Sequence, residues 1–379
     1  MKSAIYVMTH KTFRVPEDKM YIPLHVGRKP WLLQHGMTAE TLQSGNCDLP
    51  EICTYTGDDS GDNISEKNCY YSELTGMYWA WKNSDAEVIG TCHYRRYLLN
   101  SQGYMFTEKE ILDVLADYDI ITTKNLQLNF SYYEGFISHH KKIYLDETAR
   151  VLKEKYPAYY QTFERLVHEK HTYFGNMLIC RRHIYDAYCE WMFSVLSEVE
   201  KRVKVEEEDS YHRRIFGFIS EFLQYVWITH EKLSVRECMV GMLGEKAEVS
   251  EVKQVLAGYF AAGDYEQAKE YFLEAKKARP DILMEASDVT GELHMCMEVI
   301  AVAGLEQQEY GSNLLERMQD FDELMSYCSH LNSYVMQKQC GEVEESLKQW
   351  RKNHEVTDVA ENCALAVVNS IRGTAKVPV

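Results

Sequence analysis

The sequence predicts a two-part chain: an α/β layered domain over residues 1–245, then an all-α domain over residues 246–379. Three observations point there. In the first part short apolar runs alternate with amphipathic helical stretches, the pattern of strands and helices stacked in layers. After about residue 246 strand candidates vanish and helical periodicity takes over. At 379 residues and 44.3 kDa the chain also exceeds one ordinary core.

In chain order the strand candidates are Ala4–Met8, Tyr21–Val26, Val88–Cys92, Asp119–Thr122 and Asn176–Cys180, and they predict a largely parallel sheet. A helix is expected over Asn68–Lys82, where Tyr71, Leu74, Met77, Tyr78 and Trp81 recur at helical spacing. Tyr71, Trp79 and Trp81 could stack on a sugar or base, but this spacing assigns at least two of them to the core. Further helices are expected over Ile184–Arg202 and Ile215–Trp227.

The second part holds 13 Lys+Arg against 23 Asp+Glu, a net of −10. Its stretch LAGYFAAGDYEQAKEYFLEAKKARPD (256–281) sets Gly258, Tyr259, Ala268, Phe272, Ala275 and Pro280 around a short Ala-Gly-Asp-Tyr turn. It resembles a tetratricopeptide-type helix pair, in which small alanines let helices approach closely and proline ends the unit. Helices of similar length are expected near 285–303, 312–331, 333–353 and 355–371. They lack the consensus, so a helical-repeat-like domain and a plain bundle both stay open.

Composition narrows the function classes. Apolar residues make up 45% and aromatics 12%, enough for packed cores. No run approaches the ~18 apolar residues of a membrane span, and the apolar start of MKSAIYVMTHKTF is short for a signal peptide. Eleven scattered cysteines without a CxxC pair fit reduced thiols better than a disulfide framework or zinc site. A net charge of −17 argues against nucleic-acid binding. The expectation is a cytoplasmic protein, peripheral at the inner membrane face at most, since anionic lipid repels its acidic helices.

Five polar clusters stand at the ends of the predicted elements. Thr9-His10-Lys11 follows the first strand, and ligands of open α/β sheets collect at strand carboxyl ends, although any first loop must be polar. The loop Gly57-Asp58-Asp59-Ser60-Gly61-Asp62-Asn63-Ile64-Ser65 offers three aspartates. It fails as an EF-hand, because the twelfth position from Asp58 is Cys69 and the third from Asp62 is Ile64. Asn63 or Ser65 capping the next helix is the plainer reading. Capping does not call for three acids, so the loop is read as functional, recognising sugar hydroxyls or positioning an adjacent group.

His93-Tyr94-Arg95-Arg96-Tyr97 leaves the end of a buried strand, where planar guanidinium forks suit a diphosphate. Surface arginines bridging to nearby acids are the alternative. Asp117-Tyr118-Asp119 spells D-x-D, but the apolar residues follow it, so the acids enter the strand and the pair is rejected as a metal site. Lys124, just beyond that strand, is better placed.

The last cluster joins Phe174-Gly175-Asn176-Met177 to Gly217-Phe218-Ile219-Ser220-Glu221. Glu221 adjoins Phe218, Phe222, Leu223 and Val226, and desolvation there raises a carboxylate's pKa towards general-base service. A solvated glutamate, or one paired with Arg213 or Arg214, is the structural alternative. His139-His140 lack a third ligand at zinc spacing but could touch phosphate or acceptor. No GxGxxG follows a strand, which speaks against a nucleotide-dependent oxidoreductase.

Together IYVMTHK (5–11), YIPLHVG (21–27), GDDSGDNISEKNCYYSELTGMYWAWKN (57–83), IGTCHYRRY (89–97), DYDIITTK (117–124), FGNMLI (174–179) and GFISEFL (217–223) resemble one family over roughly 1–240. Its members are bacterial glycosyltransferases of capsule, exopolysaccharide and lipopolysaccharide assembly, long catalogued as a domain of unknown function. Tyr97 replaces the usual phenylalanine, Cys69 stands where proline is common, and Phe222 where arginine usually follows the glutamate.

The resemblance implies a GT-A-like, Rossmann-type fold and transfer of a hexose, galactose in pyranose or furanose form, from a nucleotide-sugar, with UDP the expected nucleotide. It implies donor contacts from Thr9, His10, Lys11, Asp58, Asp62, Asn63, His93, Arg95, Arg96 and Lys124. Acceptor contacts would come from His139 and Asn176, and a base from Glu221 or Asp59. Arg95 and Arg96 would replace a metal at the leaving diphosphate, so no cofactor is favoured, while the aspartate loop leaves Mn or Mg open. A glycan or lipid-linked acceptor is expected, and the C-terminal helices suggest a protein partner or self-association. A non-catalytic sugar-binding or partner-recruiting module is the alternative.

Overall fold

The computed structural model describes residues 2–38, 50–283 and 287–374. It divides into two compact units, Met1–Leu243 and Gly244–Val379.

The strands described in the first unit are β1 (Ser3–Thr9), β2 (Tyr21–His25), β3 (Thr56–Gly57), β4 (Val88–His93), β5 (Arg96–Leu99), β6 (Ile120–Thr123), β7 (Leu126–Gln127), β8 (His171–Thr172), β9 (Leu178–Arg181) and β10 (Val235–Met242). Eight form one sheet, β3-β2-β1-β4-β5-β10-β6-β9, and β7 pairs with β8 separately. One half, β3-β2-β1-β4, is parallel. In the other half β5 and β9 run antiparallel to their neighbours, while β10 and β6 are parallel.

The sheet is therefore mixed, not largely parallel. The residues between β4 and β5 are only Tyr94 and Arg95, and so short a link can join only antiparallel neighbours. β5 opens on Arg96 and β10 reads VRECMVGM, so neither shows a strand's apolar run.

β4 changes partner along its length. Val88–Thr91 pairs with β9 on the edge away from β1, whereas His93 pairs with Arg96 of β5. Gly90 permits the close approach, since a methyl group there would lie 2.9 Å from Ile179 Cγ1 and 3.0 Å from Ile5 Cγ1.

Residues of β1 alternate between two buried layers. Ala4, Tyr6 and Met8 join Leu24, Ile89, Leu178 and the helical side chains Leu74, Met77, Tyr185, Tyr188, Phe216 and Phe222. Ile5 and Val7 face Val88, Ile121, Ile179, Phe106, Ile111 and Leu115.

The helix expected over Asn68–Lys82 is broken. One turn spans Asn68–Tyr71, and a helix restarts at Leu74–Asn83. Between them Ser72 has φ 50°, a left-handed value disfavoured for serine. The Asn68 amide donates to the Ser72 carbonyl at 2.8 Å and to Thr75 Oγ1 at 3.1 Å, replacing helical bonding at the break. The other two expected helices run Arg182–Glu200 and Ile215–Glu231.

The second unit is helical throughout its described residues. Ala247–Ala261 and Tyr265–Ala278 flank a turn in which Gly263 adopts φ 71°. The later helices Glu292–Tyr310, Phe321–Cys340, Glu345–Asn353 and Asp358–Thr374 span 19, 20, 9 and 17 residues, so the expected similar lengths do not hold. Two glutamates lie inside this unit. Arg317 Nη2 meets both Glu306 carboxylate oxygens, at 2.9 and 2.8 Å, whereas Glu298 has one partner, the Asn332 amide at 2.8 Å.

Candidate active site

Where β4 parts from β9, the hairpin His93-Tyr94-Arg95-Arg96 faces the loop Gly175-Asn176 that leads into β9. Gly175 (φ 98°) and Asn176 (φ 41°) both take left-handed conformations. This bend turns the Gly175 carbonyl towards His93 and its N–H towards Glu221. His93 Nε2 lies 3.0 Å from that carbonyl, and the N–H donates to Glu221 Oε1 at 2.9 Å. A carbonyl only accepts, so Nε2 carries the proton and Nδ1 keeps the lone pair of a neutral ring.

Asn176 is fully buried and its side chain is fully engaged. The amide donates to Glu73 Oε1 at 2.7 Å and to the Gly217 carbonyl at 3.0 Å, while its oxygen accepts from Ser220 Oγ at 2.9 Å. Both amide hydrogens are used, and at 2% exposure the side chain is closed off from solvent. The expected contact residue is instead a strut that aims Glu73.

Glu73 is half-buried and directly follows the break at Ser72. Arg214 Nε donates to Ser72 Oγ at 3.0 Å, so this guanidinium also borders the break. Neither Glu73 nor Arg214 was a sequence candidate for catalysis. The periodicity implies a continuous helix through Glu73, and Arg214 figures in the sequence only as a partner for Glu221. A local signal existed in Asn68, whose side chain bonds the Ser72 carbonyl.

The two carboxylates differ in charge state. Burial raises the Glu221 pKa to about 8, helped by repulsion from Glu73; Arg96, the Gly175 N–H and Arg214 pull against it. Burial also opposes charge on Glu73, but His93, the Asn176 amide and Arg214 outweigh it and hold its pKa below the usual carboxylate value. Burial lowers the His93 pKa to about 4, with Arg96 adding to the effect. At neutral pH the site holds one ionised glutamate, one protonated glutamate and a neutral imidazole among arginines.

The two expected arginines divide their tasks. Arg96 lies on the carboxylate side, with Nη1 3.7 Å from where a Gly175 methyl group would sit. Arg95 lies over the Tyr94 ring, 5.5 Å from its centroid, and its buried Nε and Nη1 have no partner in the protein. The first loop meets the same ring: His10 packs edge-on at 5.5 Å and the Lys11 ammonium is 5.7 Å from its centroid. His10, Lys11, Arg95 and Arg96 thus share one end of the sheet. Thr9 is buried, and its hydroxyl bonds to the Lys11 backbone. Lys124 is exposed just beyond β6, next to Thr123, whose hydroxyl donates to the Phe174 carbonyl at 3.2 Å.

The aspartate loop and His139 have other work. Asp58 is buried and accepts from the Gly27 and Arg28 N–H groups at 2.8 and 3.0 Å, and from the Ser65 and Thr75 hydroxyls at 2.5 and 2.6 Å. Those four bonds occupy both oxygens, so Asp58 ties the loop together and does not contact a donor. Asp62 is exposed and accepts from the Tyr78 hydroxyl at 3.1 Å. The Asn63 amide donates to the Gly61 carbonyl at 2.9 Å and its oxygen accepts from the Ser65 N–H at 3.3 Å, bonds within the loop; neither Asn63 nor Ser65 caps the helical turns that follow. Asp59 lies 3.9 Å from Arg28 Nε. His139 is exposed, and its Nδ1 bonds within its own helix to the Gly135 carbonyl. Trp79 and Tyr71 are buried, and Trp81 stacks parallel to Phe193, so these rings pack against protein.

Among the described residues no three His, Cys, Asp or Glu side chains converge as a metal-ligand set, and no helix is long and apolar enough to cross a membrane.

The solved apo structure of the bifunctional glycosyltransferase WbbM matches with a TM-score of 0.52 and 23% identity, covering 68% of this chain. This chain spans about half of that protein, 52% of its length, and the likeness speaks for a shared fold alone. A search of curated proteins finds no match. The family model described as a domain of unknown function, DUF4422, matches residues 4–232. The chain belongs to the DUF4422 family.

Proposed function

We propose that the chain is a glycosyltransferase moving a hexose, galactose in pyranose or furanose form, from a UDP-linked donor to a growing surface-polysaccharide acceptor. The observation that carries this reading is the Arg95 guanidinium, whose buried Nε and Nη1 have no protein partner, next to Arg96 on the hairpin that also presents His93 to Gly175. Protein cations packed around a sheet end with unused donors suit a diphosphate. The fold shared with a protein titled a glycosyltransferase supports the same class.

In the proposed step an acceptor hydroxyl oxygen bonds to the donor's anomeric carbon. The bond from that carbon to the diphosphate oxygen breaks, and its electron pair leaves with the nucleoside diphosphate. Arg95, Arg96, His10 and Lys11 stabilise the charge that develops on the leaving group. A carboxylate of the cleft takes the acceptor's proton. Asp58 is committed to its own loop, and the arginines fill the role a divalent cation has elsewhere. The second unit holds a protein partner or a second copy of the chain, and the reaction belongs to the cytoplasm.

Purified chain incubated with a panel of UDP-hexoses and sugar acceptors tests the reading, with UDP release measured in excess EDTA. Release that survives EDTA is the expected result. Complete loss restored by Mn²⁺ removes the arginine mechanism. Silence with every donor, alongside tight capture of glycan, makes the chain a sugar-binding module.

A further inference from the structure

We infer that Ser72 is a positioning residue for the proposed transfer: its hydroxyl and the Arg214 guanidinium together hold a strained turn that keeps Glu73 against Asn176. This rests on the glycosyltransferase reading and deepens it by naming a residue that acts through the cleft groups without touching substrate.

Ser72 has φ 50° and ψ −128°, close to the first central position of a type II′ turn, which is a glycine position. A serine there is strained by its own Cβ, and such strain persists only where the surroundings over-determine it. They do so from several sides. The Ser72 carbonyl accepts from the Asn68 amide at 2.8 Å and from the Thr75 N–H at 3.3 Å. The Thr75 hydroxyl donates to Asp58 at 2.6 Å, which ties the turn to the buried loop. Gly217 backs it, since a methyl group there would stand 3.6 Å from Ser72 Cβ and Oγ and 3.9 Å from Glu73 Oε2.

Glycine would take this conformation without strain, so what serine adds is the hydroxyl, and that oxygen accepts from Arg214 Nε at 3.0 Å. The turn bears directly on Glu73. In an unbroken helix the Glu73 N–H would bond the Cys69 carbonyl. Here its own carboxylate accepts it, along with the Asn176 amide at 2.7 Å. The guanidinium that pins Ser72 also faces the carboxylates of Glu73 and Glu221. One hydrogen bond, from Arg214 to Ser72, thus joins the helix break, the carboxylate and the cation into a single unit.

The test compares Ser72→Gly, Ser72→Ala, Arg214→Lys and the double variant Ser72→Ala/Arg214→Lys, with UDP-galactose as donor. Both Ser72 variants lose the hydroxyl, but only alanine keeps the strain. Ser72→Gly is therefore expected to unfold at a higher urea concentration than Ser72→Ala. Each should still lower kcat about tenfold, with KM for donor and UDP affinity by calorimetry within about threefold. Arg214→Lys keeps the charge but not the Nε contact, and kcat should fall similarly. The double variant should lie within about threefold of the slower single variant, because the two residues act as a pair. A serine with only a structural role would instead regain activity together with stability in Ser72→Gly.

The inference is overturned if Ser72→Gly keeps wild-type kcat, if Ser72→Ala is as stable as Ser72→Gly, or if the two losses multiply in the double variant. It also falls if donor KM rises beyond threefold in the Ser72 variants, which would make the hydroxyl a donor contact. A wild-type chain inert towards every nucleotide-sugar sinks the glycosyltransferase reading and this inference with it, whereas an active wild type with a fully active Ser72→Gly sinks the inference alone.

Discussion

The Asn176 amide holds Glu73 Oε1 at 2.7 Å from a backbone that sits at φ 41°. An asparagine tolerates that left-handed conformation better than most residues, and its side chain still spans to Glu73, Gly217 and Ser220. Conformation and hydrogen bonding select the same residue type. Asn176→Ala is therefore expected to lower kcat at least tenfold. It should also destabilise the chain by about 1–3 kcal/mol, because the Ser220 hydroxyl and the Gly217 carbonyl each lose a buried partner. Urea denaturation and steady-state kinetics on one preparation check both halves.

Removing positive charge from the hairpin should weaken diphosphate binding more than it weakens the fold. Arg95→Ala is expected to reduce UDP affinity about 10–100-fold by calorimetry, with Arg96→Ala similar. Arg95→Lys should recover only part of the loss, since an ammonium cannot reproduce a planar two-pronged contact. A thermal transition shifted by more than a few degrees in Arg95→Ala would mean that the side chain holds structure instead.

The pH profile should carry the signature of a raised glutamate. Glu221 stays protonated until the pH passes about 8. Above that it ionises next to Glu73 and the donor's diphosphate, so kcat/KM for donor should fall on the alkaline side. Glu221→Gln cannot ionise and should lose that limb. Stability follows the same sign. A carboxyl group whose folded pKa is raised helps the fold at low pH, and that help is lost as pH rises through the folded value.

Asp58 predicts a structural defect. Four donors converge on its carboxylate in a buried position, so Asp58→Ala leaves two backbone N–H groups and two hydroxyls without their acceptor. The expected cost is about 3 kcal/mol or more, read as a lowered denaturation midpoint. Asp62→Ala, which removes one exposed contact with Tyr78, should stay within about 0.5 kcal/mol of wild type.

In the second unit, Glu298 should make stability pH-dependent. It is 1% exposed, Oε1 has no partner, and burial raises its pKa to about 7. The folded unit then binds a proton that the unfolded chain releases near pH 4.5, so stability contributed by this group falls between those values as pH rises. The change is on the order of 3 kcal/mol. Glu298→Gln should flatten that window in a series of thermal melts from pH 5 to 8.

The parallel half of the sheet was legible because β1, β2 and β4 are continuous apolar runs bounded by polar turns. β5 and β10 were not. Their charged residues Arg96, Arg236 and Glu237 interrupt the pattern, and a strand paired on both sides does not need an unbroken apolar run when its ends approach solvent. At the site, His93, Arg95, Arg96 and Glu221 stood out by residue type and place. Glu73 stayed hidden inside a helical period that Ser72 interrupts, and periodicity counts residues without seeing where the backbone turns. Asp58 misled in the opposite direction. Three aspartates in a row of turn residues look like a ligand shell, yet the acceptor capacity of Asp58 is consumed by its own loop.

Because β4 serves one neighbour up to Thr91 and another from His93, the hairpin stands at a fork in the sheet. Upstream, any altered length would throw whole rows of side chains out of phase. Downstream, only the two residues Tyr94 and Arg95 join β4 to β5.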